Sequence, residues 1–232
     1  VKASLASVLD LLKSSRFDKA LYMDLLGLMF SIFSKARKEG LMALEGDIEE
    51  PNKSKLFKRY PKILADNHAL DFISDYLRLM VSGNMNPFEL ENLMDVELET
   101  HHAELGAAPA ALNRVSDALP GFGIVAAVLG IVITMGSIGG PPEILGKHVA
   151  AALVGTFLGI LFAYGFVGPM ATQLEHNAHD ESKYYECIKV CLLSNLNGYA
   201  PQVSIEFGRK TIVSSLRPGF AELEKFIKKI PK

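Results

Sequence analysis

Between Ala118 and Leu174 the alternation of apolar and charged residues seen elsewhere in the chain stops. Gly, Ala and large aliphatic residues fill this stretch, and its one interruption is a tight loop from Gly139 to Lys147. The runs on either side of the loop, about 122–138 and 149–170, each approach the ~20 apolar residues that cross a bilayer as a helix. Glu143 and Lys147 both fall at the loop, away from the run centres. A Lys held at mid-bilayer costs ~2.5–3.5 kcal/mol on insertion scales, so a membrane would select this placement. The pattern predicts a membrane hairpin; the soluble alternative is a helical hairpin buried in a large core.

The flanks, residues 1–117 and 175–232, read as helices of amphipathic period. Apolar residues recur at three and four along Leu5–Leu12 and Leu21–Phe33, and Pro51 is expected to end that first long run. Pro61 opens a helix carrying Leu64, Leu70, Ile73 and Leu77, which Gly83 closes. Asn86-Pro87 reads as an N-cap with Pro in the first turn, and Glu89 and Glu91 complement the dipole. This helix should run to about His102, before a small-residue break at Gly106–Pro109. Past the second span a helix from Gln173 to Leu196 leaves the membrane, and Asn197-Gly198 stops it. Pro201 starts a helix through Phe207 and Ile212, and Pro218 precedes the last, Phe220 to Ile230. No strand pattern, internal repeat or low-complexity tract is found, so the fold class is all-α, with two transmembrane helices between helical regions.

Within the spans, small residues fall on one stripe of each helix: Gly123, Ala127, Gly130 and Thr134 in the first, Ala152, Thr156, Gly159 and Ala163 in the second. Such stripes let helices pack closely in lipid, and Gly155–Gly159 is a GxxxG match. The hydroxyl of Thr156 can bond its own i−4 carbonyl or face a wet path. Neither span carries an ionisable side chain at mid-depth, so any ion that crosses needs a titrating group from a partner.

Average composition conceals this arrangement, since 49% hydrophobic, 22% charged and a net charge of −2 are ordinary globular values. Two spans place both flanks on one side. Arg114 and Lys183 favour the cytoplasm for them, though Lys147 dilutes the bias. Cys187 and Cys191, at i and i+4, read as reduced core thiols, and no signal peptide is visible. His176 with His179, and His101 with His102, lack further ligands at metal spacing and read as surface histidines. No phosphate-binding loop, nucleophile elbow or basic aromatic patch points to an enzyme or to nucleic-acid binding.

The runs Leu119–Gly130, Val154–Gly165 and Ser194–Pro201, with Tyr60–Asp66, Phe72–Gly83 and Glu206–Lys210, closely resemble the MotA family of flagellar stator subunits, over essentially the whole chain. The resemblance implies four membrane helices, of which this sequence carries the last two and lacks the first two. It also implies a homo-oligomer, a five-membered ring around two MotB chains that each supply an ion-binding Asp, in the bacterial inner membrane with most soluble mass cytoplasmic. No cofactor is implied beyond the transported ion. Thr156 matches the family's channel-facing threonine, and Ala127 a position where sodium-using relatives tend to have a second threonine. A methyl cannot replace a water ligand of Na⁺, so the expected ion is H⁺.

Pro120 and Pro169 match two prolines thought to couple ion binding to movement, which fits the kink a proline makes by deleting an i−4 bond. Arg37 and Glu45 match a charged pair that faces the rotor protein FliG. They lie about 80° apart if one helix continues through Gly40. Glu97 falls in a family-like acidic run and is a third rotor-interaction candidate, though a solvated helix face explains it as well. The expected function is a stator subunit that conducts protons and generates torque. The alternatives are an energy transducer like ExbB or TolQ and a membrane-anchored scaffold that conducts nothing.

Overall fold

A computed structural model of the chain describes residues 16–230, so the expected periodic segment Leu5–Leu12 lies outside the described residues. Helix α1 (Lys19–Glu39) starts where the Asp18 carboxylate accepts the Leu21 N–H at 2.6 Å. It ends at Gly40, whose φ of 88° turns the chain out of the helix. The first run therefore does not reach Pro51. A 3₁₀ turn, Leu41–Leu44, and α2 (Glu45–Glu49) take its place, anchored by buried Leu44 and Ile48.

The helix expected from Pro61 is also two, α3 (Pro61–Leu64) and α4 (Asn67–Ser82). Asp66 divides them by accepting the Ala69 N–H to cap α4, a competing N-cap inside an apolar period. Gly83, φ 65°, closes α4 as expected. Asn86 and Glu89 then exchange hydrogen bonds of 2.9 and 3.0 Å, a capping box that launches α5 (Pro87–Met135).

No break occurs at Gly106–Pro109; α5 continues through Pro109 and Pro120. Ala107, Ala108, Ala110 and Ala111 are the best helix formers, and each proline removes one bond from a long ladder. After a turn with Gly139 at φ 96°, α6 (Pro142–Phe162) begins at Pro142 rather than Val149, because Pro141 is extended and Pro142 is preset for a first turn. A π-helical turn, Ala163–Val167, leads into α7 (Gly168–Leu196), and α8 (Pro201–Thr211) and α9 (Phe220–Lys228) follow. No strand occurs among the described residues, and the fold is all-α.

Of the described residues, Ala103–Ala178 form one compact unit, and 16–102 with 179–230 form the other. The latter has an apolar core in which Leu25, Leu26, Met29 and Ile32 of α1 meet Ile73 and Leu77 of α4 and Ile188 and Leu192 of α7. Cys187 and Cys191 are buried free thiols beside Gly208, with Cys187 Sγ 3.3 Å from its carbonyl oxygen. The unit of Ala103–Ala178 is built the other way round. Most of its large side chains face outward, Phe122 at 70% and Phe157 at 62% exposure, while its buried residues, Leu174 apart, are mostly small: Ala152, Ala163, Ala171, Ser116 and Thr134. Only 17% of the most apolar stretch of each long helix is buried. A core hairpin would be mostly covered, so the pattern fits lipid and not a soluble interior.

Candidate ion path and charged loop

The seam between α5 and α6 is set by residues too small to hold the backbones apart. A Cβ on Gly123 would stand 2.9 Å from the Gly155 carbonyl oxygen, and one on Gly159 2.7 Å from that of Leu119. Gly130 meets Ala152 as closely. The stripes read from the sequence are thus the packed faces. Thr156 is half-buried on this seam, and its hydroxyl donates across it to the Gly123 carbonyl at 3.3 Å, not to its own i−4 carbonyl. Ala127, half-buried, lies one turn beyond Gly123 on the same stripe. Thr134, by contrast, back-bonds to Gly130 at 2.7 Å.

The structure adds polar contacts that the sequence reading passed over. Ser116 Oγ donates to the Ala163 carbonyl at 3.0 Å, and Ser137 Oγ lies 3.0 Å from His148 Nδ1. Asn113 donates to Glu175 at 2.7 Å. For His148 a signal was present, since His148, Ala152 and Thr156 share four-residue spacing. Pro120 is half-buried within α5, where it removes the N–H that would bond the Ser116 carbonyl. Pro169 stands just after the π-helical turn and leaves the Gly165 carbonyl without its i−4 donor. Gly168 N–H instead reaches back to Ala163, the wider spacing of a π turn.

Arg37 and Glu45 belong to the other unit. Gly40 ends α1 between them, so they do not share a continuous helix and the 80° estimate does not apply. Both are exposed, and neither side chain has an ion-pair or hydrogen-bond partner among the described residues. What holds their segments together is Asp47, which takes Lys35 Nζ at 2.6 Å and Ser54 Oγ at 2.6 Å. Arg78 adds a bond to the Ile48 carbonyl at 3.3 Å, and a cavity of about 370 Å³ opens beside Glu45, lined by Met42, Ile48, Glu49 and Val81.

Glu97 is exposed yet accepts the Tyr76 hydroxyl at 2.5 Å. Burial, and then the bond to Glu97, hold the Tyr76 phenol far above its usual range. Of the four histidines read as surface groups, His176, His179 and His102 are exposed. His101 is half-buried, edge-on to Tyr185 and 3.5 Å from Glu181. No group that could hold a metal occurs among the described residues.

These features define an all-α membrane protein whose hairpin closes on small residues and carries a hydroxyl in its seam. The chain belongs to the MotA/TolQ/ExbB proton channel family, whose model matches residues 65–187. The chain is 52% identical over 230 residues to Motility protein A of Escherichia coli K12, covering 99% of this chain and 78% of that one. It is 39% identical over 206 residues to chemotaxis protein LafT of Vibrio parahaemolyticus, covering 89% and 72%. Its fold matches that of the C. jejuni MotAB structure with a TM-score of 0.74 at 19% identity, covering 92% of this chain and 75% of that one. The Bacillus subtilis MotAB stator complex gives 0.71 at 24% identity, covering 96% and 78%. The family is one of proton channels and motility stators, not of enzymes.

Proposed function

We propose that this protein is the channel-forming subunit of a flagellar stator. With a MotB-type partner it conducts protons across the bacterial inner membrane and converts that flow into torque on the rotor protein FliG, with most of its soluble mass in the cytoplasm. The observation that carries this reading is a close-packed hairpin with Thr156 in its seam and no Asp, Glu, Lys, Arg or His between His148 and Glu175 or between Asp117 and Glu143. A carboxylate must come from elsewhere, and a MotB-type helix supplies one. A homo-oligomeric ring around that partner gives each Thr156 access to it.

Ala127 supports protons over sodium, since its methyl offers no oxygen ligand. Pro120 and Pro169 carry the coupling role because each takes the i−4 N–H donor from a backbone carbonyl in a long helix. Arg37 and Glu45 form the rotor-facing charges, and Glu97 acts through Tyr76 inside its own unit. The extent of likeness to Motility protein A favours a stator over an ExbB- or TolQ-type transducer.

Co-expression with a MotB-type partner in a strain lacking its own stator tests the proposal. Swimming in K⁺ medium free of Na⁺ is expected. A strict Na⁺ requirement overturns the proton reading, and the absence of any ion flux leaves only a scaffold.

A further inference from the structure

We propose that His148, with Ser137, is the proton-loading residue at the loop end of the seam, taking protons from the water on that side and passing them inward. This rests on the proton-conducting reading above. His148 is half-buried, and its Nδ1 lies 3.0 Å from Ser137 Oγ, in the turn that follows α5. On α6 it continues the packed face: Ala152 meets Gly130 and Thr156 meets Gly123, each four residues further along. Eight residues put His148 about 12 Å along the helix axis from Thr156. The seam thus has a hydroxyl within it and an imidazole at its mouth.

Imidazole is the side chain that changes charge between about pH 5 and 8, which is where a proton collector in water has to work. Among the described residues, little else at that end competes for the role. α5 and the turn bring no Asp, Glu, Lys, Arg or His between Asp117 and Glu143. On α6 itself the charged neighbours are Glu143 and Lys147, both exposed.

The step balances within these two side chains. The Ser137 hydroxyl takes a proton from the outside water as it gives its own to Nδ1, and the ring becomes imidazolium. Nε2 then gives its proton to water on the way to the MotB-type carboxylate, so the ring is neutral again in its other tautomer. One proton enters, and a water-assisted tautomer exchange resets the ring.

The test uses the full chain with its MotB-type partner in cells, following proton flux against external pH, with membrane levels checked by immunoblot. His148→Gln should match the parent at about pH 5.5, where protons are plentiful, and fall several-fold below it at about pH 8. Ser137→Ala should shift the profile in the same direction while keeping the imidazole, and it carries the test if His148→Gln fails to accumulate. Added imidazole should restore the alkaline flux of His148→Ala, which a purely structural hydrogen bond would not allow. An unchanged pH profile in variants present at normal levels overturns the inference and leaves the proton reading intact. A parent that needs Na⁺ overturns the proton reading first.

Discussion

Gly130 and Gly159 sit where a single methyl decides whether the hairpin closes. A Cβ on Gly130 would lie 2.5 Å from Ala152 Cβ, and one on Gly159 meets backbone, which cannot rotate away. Gly106, on the same α5, has nothing within 4 Å of such an atom. Gly130→Ala and Gly159→Ala are therefore expected to destabilise the protein by ~1–3 kcal/mol, the usual cost of overpacking. Gly106→Ala should be neutral or stabilising by up to ~1 kcal/mol, through helix propensity. Thermal melts in detergent separate the two classes; equal melting points would show that the seam is looser than described. Arg37 poses the opposite case, an exposed side chain with no partner among the described residues. Arg37→Glu should leave the melting temperature unchanged yet abolish swimming, and a reversed charge on the rotor should partly restore it; failure of every rotor variant to rescue would remove the direct contact. The small-residue stripes were legible in the sequence because helical period alone puts Gly123, Gly130, Ala152 and Gly159 on facing sides. The relation of Arg37 to Glu45 was not, because it turns on the φ of one residue, Gly40, and a glycine inside a helical period does not announce whether it bends the chain.

At the level of elements, the long helices survive their prolines in different ways. Pro109 and Pro120 sit inside α5 with the helix unbroken, whereas Pro169 comes directly after a π-helical turn. Ala163, fully buried, starts that turn, and its carbonyl accepts both Gly168 N–H and the Ser116 hydroxyl. A sequence can mark a kink at Pro169, but not that the π-helical turn before it shares the Ala163 carbonyl with Ser116, forty-seven residues before Ala163. Pro169→Ala returns an N–H that can bond Gly165, so the turn no longer has a reason to widen. The variant should reach the membrane at normal levels and give little torque; normal motility would end the coupling role. A second element-level device closes α8. Arg209, buried, grips Glu206 with two bonds of 2.7 and 2.6 Å and donates to the Pro218 carbonyl at 2.9 Å. Those bonds from Arg209 hold the Glu206 carboxyl below its usual range. A depressed carboxylate stabilises the fold above its unfolded pKa and loses that contribution as pH falls through the lower folded value. Glu206→Gln should thus lower the melting temperature at pH 7, equivalent to ~1–3 kcal/mol, and the gap to the parent should shrink below about pH 4.

Over the whole molecule, charge is segregated so strictly that a protease can read the topology. Between Arg114 and Lys183 the sequence contains one Lys and no Arg, and that Lys147 sits at the start of α6 beside the turn. The flanks hold all the other basic residues, many of them exposed, including Lys53, Lys58 and Lys228. The proposed topology puts Lys147 on one side of the membrane and every other tryptic site on the opposite side. Trypsin added to inside-out vesicles is expected to digest the flanks and leave a fragment containing residues 115–182 intact. Added to spheroplasts, where the outer face is open, it should cut only after Lys147 and yield two large pieces that remain in the membrane. Cleavage at Lys147 from the cytoplasmic face would mean that the hairpin does not cross. His148, next in the chain, would then have no outside water from which to load a proton, so the same digestion bears on the fold and on the path through it.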